Sequence, residues 1–157
     1  MVPSLLFDIS RIDLDQVMVD VAGIERLNPH RGCMRQLDGV IWHDPDVTVS
    51  VAFKDVRDDE FWVPGHIPGR PILPGVLMIE AGAQLASFMT FCRTEGLKFI
   101  GFICCDNAKF RGQVVPGDRL ILLGKGLKLK PRRSIYAIQG LVRGSLVFEA
   151  EVTGMAI

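Results

Sequence analysis

The chain has 157 residues, of which 48% are hydrophobic and 23% charged, with 18 Lys+Arg balanced by 18 Asp+Glu. That length fits one domain with enough core to fold without staples, and the composition excludes a disordered chain. A formal net charge of +0 excludes nucleic-acid binding by bulk charge and removes the long-range repulsion that opposes self-association.

Residues 1–16 are acidic and irregular, with Asp8, Asp13 and Asp15 flanking Arg11. They contain no basic stretch followed by an apolar run, so they do not read as a secretory signal. A short helix is expected from about Asp15 to Leu27, ending before Pro29 because the residue ahead of a proline is pushed out of the helical region. Val40–Trp42 and Val47–Phe53 read as strands, the second with Val47, Val49, Val51 and Phe53 on one face. Residues 61–75 hold four prolines and three glycines, which excludes a regular helix or central strand and implies a loop with several pinned dihedrals.

Residues 75–92 have helix length and no internal proline, and Glu80 and Gln84 are their only strongly polar members. A helix apolar all round is buried in a core or in a bilayer. This one is short for a span, carries a carboxylate near its middle and lacks a basic flank at its start, so a central core helix is expected. Strands follow near Phe99–Cys105, Leu120–Lys130, Ser134–Arg143 and Leu146–Ala156, with turn signals at Pro116-Gly117-Asp118, Pro131 and Gly144. The pattern predicts an α+β domain in which an antiparallel sheet wraps one long buried helix.

The cysteines are Cys33, Cys92, Cys104 and Cys105, with no CxxC pair. Reduced, mostly packed thiols in a cytoplasmic setting are expected, with neither a zinc site nor a disulfide framework. Glycine-rich nucleotide fingerprints, a phosphate loop and a GxSxG elbow are absent from the sequence, so no cofactor is expected.

Three features carry chemistry. His66 lies in the proline-rich loop, and Glu80 follows fourteen residues later inside the helix. Burial raises a carboxyl toward neutrality and histidine titrates in the same range, so the two suit acid–base work. On the residues alone, a backbone-satisfied His66 and a Glu80 tied to Arg70 are equally good readings. Gly75 opens the helix, where amides without helical partners would hold a developing oxyanion. Gln84 lies one turn beyond Glu80 on the same face. His30 and His43 are weaker candidates. Lys125, Lys128, Lys130, Arg132 and Arg133 form a cluster suited to an acidic partner, or simply to a solvated hairpin edge.

The run Gly65-His66-Ile67-Pro68-Gly69-Arg70-Pro71-Ile72-Leu73-Pro74-Gly75-Val76-Leu77, with Ile79-Glu80-Ala81 and Gln84 after it, closely resembles the active-site segment of the FabZ-type 3-hydroxyacyl-acyl carrier protein dehydratases. Asp106-Asn107-Ala108-Lys109-Phe110-Arg111 and Val114-Val115-Pro116-Gly117-Asp118-Arg119-Leu120 resemble a second block of that family, and Asn28-Pro29-His30-Arg31 resembles its entry motif more loosely. The resemblance implies a hot-dog fold over residues 28–157, preceded by an extension, residues 1–27, that is longer than usual and would wrap a neighbouring subunit or partly cover the tunnel.

It also implies His66 and Glu80 as the catalytic pair, meeting across a homodimer interface, with Gly75 donating its amide to the thioester carbonyl and Pro68, Arg70 and Gln84 in support. Trimers of such dimers are common in the family. The implied substrate is a (3R)-3-hydroxyacyl thioester on acyl carrier protein, converted to the trans-2-enoyl thioester in type II fatty acid synthesis, with no metal or organic cofactor. Glutamate at 80, where related dehydratase-isomerases carry aspartate, favours plain dehydration. The basic cluster becomes a candidate dock for the carrier, and no nucleic acid or membrane partner is implied.

Residues 32–38 depart from the family's aromatic-proline continuation, and Ile67 replaces its usual phenylalanine. Two alternatives stay open: a non-catalytic thioester-binding subunit, and a dehydratase or hydratase acting on coenzyme A or polyketide-type thioesters.

Overall fold

Pro74 brings a fixed φ of −57° and no amide hydrogen to the position before the long helix, and the residues after it hold no proline up to its end at Arg93. In a computed structural model, which describes residues 4–157, a short helix α1 spans Val21–Glu25 and the long helix α2 spans Gly75–Arg93. A single 3-10 turn covers Gly32–Met34, and the described residues form six strands: β1 Gly39–His43, β2 Val49–Asp55, β3 Ile100–Phe110, β4 Arg119–Leu129, β5 Arg133–Val142 and β6 Ser145–Ala156. They form one antiparallel sheet in the order β1-β2-β4-β5-β6-β3. The sheet curls round α2 in a hot-dog fold, as the sequence predicts. Gly82 permits a close approach to β5, since a Cβ there would stand 2.8 Å from Ile138 Cγ2.

The sheet buries side chains on both faces. Its inner face, with Ala52, Leu120, Leu122, Tyr136, Ile138 and Phe148, packs on Met78, Ala81, Leu85, Phe88 and Met89 of α2. Its outer face gathers Ile41, Val51, Phe53, Ile121, Leu123 and Leu141 into a second cluster. The valine and phenylalanine alternation in β2 therefore serves the outer face, while Ser50, Ala52 and Lys54 turn inward. All three inward residues are nonetheless buried.

The outer cluster is covered by the N-terminal segment, whose path corrects one expectation. The helix expected over Asp15–Leu27 is only Val21–Glu25. Upstream, Asp15 N bonds Asp13 Oδ1 in a local turn, and the amides of Met18 and Val19 donate to Val40 O of β1. Aspartate side chains that bond their own backbone favour turns over helix, and Asp20 then caps the short helix by accepting from Gly23 N. The first part of this segment packs on its own chain. Leu6, Phe7, Ile9, Ile12 and Leu14 lie on the back of their own sheet. The buried Gln139 of β5 fastens them, accepting from Leu6 N at 2.9 Å and donating to Ser4 O at 3.1 Å.

β3 runs five residues beyond the expected Cys105. Register shifts at Phe102/Cys104 and Asp106/Lys109, the second with Asn107 at a φ of 53°, let it bend and keep pairing with β6. α2 is the one helix among the described residues long and apolar enough to cross a membrane, but its buried face is packed on the sheet.

Replacing Phe7 and Ile12 by serine removes two half-buried side chains from the outer cluster, each contributing about 1 kcal/mol. The double variant should unfold at lower denaturant concentration than the parent and bind an apolar dye more strongly, as measured by urea titration and dye fluorescence.

Candidate active site

Glu80 stands in the second turn of α2, and the side chain one turn further on holds it. Gln84 Nε2 donates to Glu80 Oε1 at 2.7 Å and to Met34 O at 2.7 Å, while Gln84 Oε1 accepts from Gln36 N at 2.8 Å. The backbone of the same residue accepts from Asn28 Nδ2 at 2.8 Å. Gln84, Asn28 and Gln36 are all buried. Segment 28–36, including the stretch that departs from the family pattern, is thus stitched to the helix beside the carboxylate. From that segment His30 turns Nε2 to within 3.5 Å of Glu80 Oε1.

Both side chains open into a cavity of about 260 Å³ lined by Leu27, Ala83, Ser87, Phe91, Phe102 and Val152 among others. At its far end the hydroxyls of Thr90 and Tyr136 meet at 2.9 Å, about 15 Å along the helix from Glu80. The Glu80 side chain is 24% exposed, so it faces an open cavity and not a sealed core. Arg70 does not pair with Glu80; His30 and Gln84 take that place.

The proline-rich loop is clamped at its ends. Val56 N donates to Asp118 O, Gly117 N to Val56 O, and Leu73 N to Val114 O, so the 114–118 turn backs both ends. Between them lies a buried ion pair, Lys54 Nζ with Glu60 Oε2 at 2.9 Å. Glu60 also accepts from Trp62 Nε1 at 3.0 Å and from Arg57 N at 2.9 Å. Burial pushes its carboxyl up, but the bonds from Arg57, Lys54 and Trp62 outweigh burial and hold it below the ordinary value.

Trp62 O then accepts from Gly65 N and His66 N, which sets the turn that presents His66. The His66 ring lies 2.8 Å from Ile72 O through Nδ1. A carbonyl only accepts, so this contact puts the ring proton on Nδ1 and leaves the Nε2 lone pair free.

His66, Ile67, Pro68 and Arg70 are all exposed on the loop, and within one chain His66 does not line the cavity that holds Glu80. Gly75 starts α2, and its amide precedes the first intrahelical donor, Leu77 N, which bonds Pro74 O. The Phe110 ring presses on Gly75 so closely that a Cβ would meet Cε1 at 2.7 Å. That ring stacks in turn on Phe148, with centroids 5.7 Å apart.

Lys128, Lys130, Arg132 and Arg133 are carried by the β4–β5 hairpin, near the Tyr136 end of the cavity, and only Lys125 reaches the N-terminal segment, at Leu6 O. His43 bonds Asp44 O and packs near Phe88, away from the cavity. Cys33 and Cys92 are exposed, contrary to the expectation of mostly packed thiols, because neither lies on a sheet-facing position. Among the described residues no three His, Cys, Asp or Glu side chains converge as metal ligands would.

The Lys54–Glu60 pair had no signal in the motifs. A lone lysine on an inward strand position and a lone acid in the loop were its only trace.

Residues 28–151 match the model of the FabA-like domain family. The chain is 38% identical over 148 residues to "3-hydroxyacyl-[acyl-carrier-protein] dehydratase FabZ" of Brucella abortus (strain S19), covering 91% of this chain and 94% of that protein. It is also 38% identical over 143 residues to the protein of the same name from Agrobacterium fabrum, covering 88% and 90%. Among solved structures, the dehydratase heterocomplex ApeI:P from Xenorhabdus doucetiae superposes with a TM-score of 0.72 at 15% identity, over 85% of this chain and 90% of that one. A hypothetical thioesterase from Streptococcus pneumoniae TIGR4 superposes with a TM-score of 0.60 at 11% identity, over 75% and 84%. The α+β fold, a sheet wrapped on one helix, defines the class, and the chain belongs to the FabA-like family.

Gln84→Leu would strip partners from Gln36 N, Met34 O and Glu80 at once, at about 1–3 kcal/mol for each buried group left unpaired. The variant should lose stability in urea, and the Gln36 amide should exchange with solvent faster than in the parent.

Proposed function

We propose that this protein dehydrates (3R)-3-hydroxyacyl thioesters carried on acyl carrier protein, giving the trans-2-enoyl thioester and water, as a step of fatty acid synthesis. The observation that carries the site assignment is the His66 ring held on Ile72 O with Nε2 free. Neutral Nε2 takes a proton from C2 of the substrate. Glu80, in the apolar cavity with Gln84 and His30 on its Oε1, holds the 3-hydroxyl and protonates it as it leaves. The Gly75 amide at the start of α2 receives the thioester oxygen as charge develops there, which acidifies the C2 hydrogens. The apolar lining of the cavity suits an acyl chain.

A second copy of the chain completes this site. His66 and the Glu80 cavity do not meet within one chain. β3 forms an edge of the sheet and leaves Phe102 50%, Ile103 45% and Phe110 50% exposed, while Phe99 just before it is 51% exposed. A long apolar edge strand left open is an aggregation hazard that a partner's strand removes. A two-fold pairing there supplies the partner's histidine loop to each Glu80 cavity. The hairpin bearing Lys128, Arg132 and Arg133 offers positive charge to the acidic carrier.

Two measurements test this. His66→Ala and Glu80→Ala should each abolish hydration of crotonyl-acyl carrier protein, followed as loss of enoyl absorbance. After the two inactive variants are mixed and their subunits exchanged, roughly a quarter of parental activity should return, because half the dimers then hold one intact composite site. No recovery despite proven exchange would place each site within one chain. Reversing Lys128, Arg132 and Arg133 to glutamate should raise KM for carrier-bound substrate and leave KM for a short soluble thioester unchanged. An equal rise for both would remove the docking role.

A further inference from the structure

The geometry points to the buried Lys54–Glu60 pair as a positioning device for His66, acting through Trp62. This rests on the reading of His66 as the base. It is the only ion pair among the described residues with both side chains buried, 3% and 6% exposed. A buried pair is seldom a net stabiliser, because desolvating both charges offsets their attraction, and apolar replacements of similar volume are often as stable. What such a pair does supply is one defined arrangement of the groups that share it.

Here those groups lead to His66 in three steps. Lys54 is fixed on β2, whose partner at that register is Leu120 of β4. Its ammonium and the Trp62 indole N–H both donate to Glu60 Oε2, while Arg57 N occupies Oε1, so carboxylate and indole are locked together. The indole is 4% exposed and belongs to the main core, which anchors the backbone that bears its carbonyl. That carbonyl takes the amides of Gly65 at 3.2 Å and His66 at 2.8 Å.

Beyond this point the loop has little else to hold it. Pro64 through Pro71 are all exposed, and the next buried position is Leu73. The His66 ring is held from the other side only by Ile72 O. Trp62 O therefore sets the backbone from which the ring reaches out, and Lys54 and Glu60 set Trp62. Neither charged group lines the Glu80 cavity, so both are positioning residues.

The test is the triple variant Lys54→Met/Glu60→Leu/Trp62→Phe, which removes all three polar side chains together and leaves no buried charge unpaired. His66→Ala is assayed beside it with crotonyl-acyl carrier protein. The triple variant is expected to keep the parental circular dichroism and a cooperative thermal transition. Its kcat should fall about 100-fold, the order expected when a reacting group is misplaced by about 1 Å, while KM is unchanged. Its proton NMR spectrum should also lose the slowly exchanging ring N–H signal that His66→Ala identifies in the parent.

A folded triple variant with parental kcat overturns the inference, as does one whose only change is a higher KM. A triple variant that does not fold assigns the pair to the fold and overturns it too. If His66→Ala itself turns over substrate, the reading of His66 as base fails first, and the positioning role falls with it.

Discussion

A helix with no polar side has to be enclosed, and most of this molecule answers that requirement for α2. The curled sheet covers Met78, Ala81, Leu85, Phe88 and Met89. It cannot cover the opposite side, where Val76 is 70% exposed and Ala83, Ser87 and Phe91 line an open cavity. Enclosure within one chain is therefore half complete. In the proposed dimer, covering the rest of the helix and bringing a histidine to Glu80 are one event, so a chain that failed to pair would lose apolar burial and chemistry together.

The single carboxylate on that helix requires its own support. A half-buried acid on an apolar helix is costly without partners, and Gln84 answers by serving Glu80 and segment 28–36 with one amide group. The support is not complete. Asn28 Oδ1, His30 Nδ1 and Gln36 Oε1 are buried without partners, all in this segment. Unpaired polar atoms concentrated beside an acid mark a site kept polar at a cost in stability.

Much of this was legible in the residues. The wrapped helix followed from a proline-free apolar run behind Pro74, and the loop from four prolines and three glycines. His66, Gly75, Glu80 and Gln84 stood out by type and spacing. What escaped depended on contacts between distant residues. The alternation of β2 reads equally well for either face, and only the N-terminal segment decides that Val51 and Phe53 turn outward. The expected helix at Asp15–Leu27 lost to aspartate turns and to backbone bonds with Val40, which no local pattern announces. Lys54 and Glu60 are unremarkable separately and acquire meaning only when β2 and the loop close on each other.

The N-terminal segment also bears on the order in which the molecule is assembled. Its anchor is the side chain of Gln139, which lies 133 residues further along the chain from Leu6. During synthesis this segment lacks its anchor until β5 exists and has paired with β4. Contacts of such long sequence separation carry the full entropy of loop closure and form late. Until then the apolar residues of the segment and the back of the sheet are both open to water. A segment that precedes the whole sheet in sequence is thus among the last to find its place, and until it docks the chain can associate with its neighbours through the very residues that later seal it.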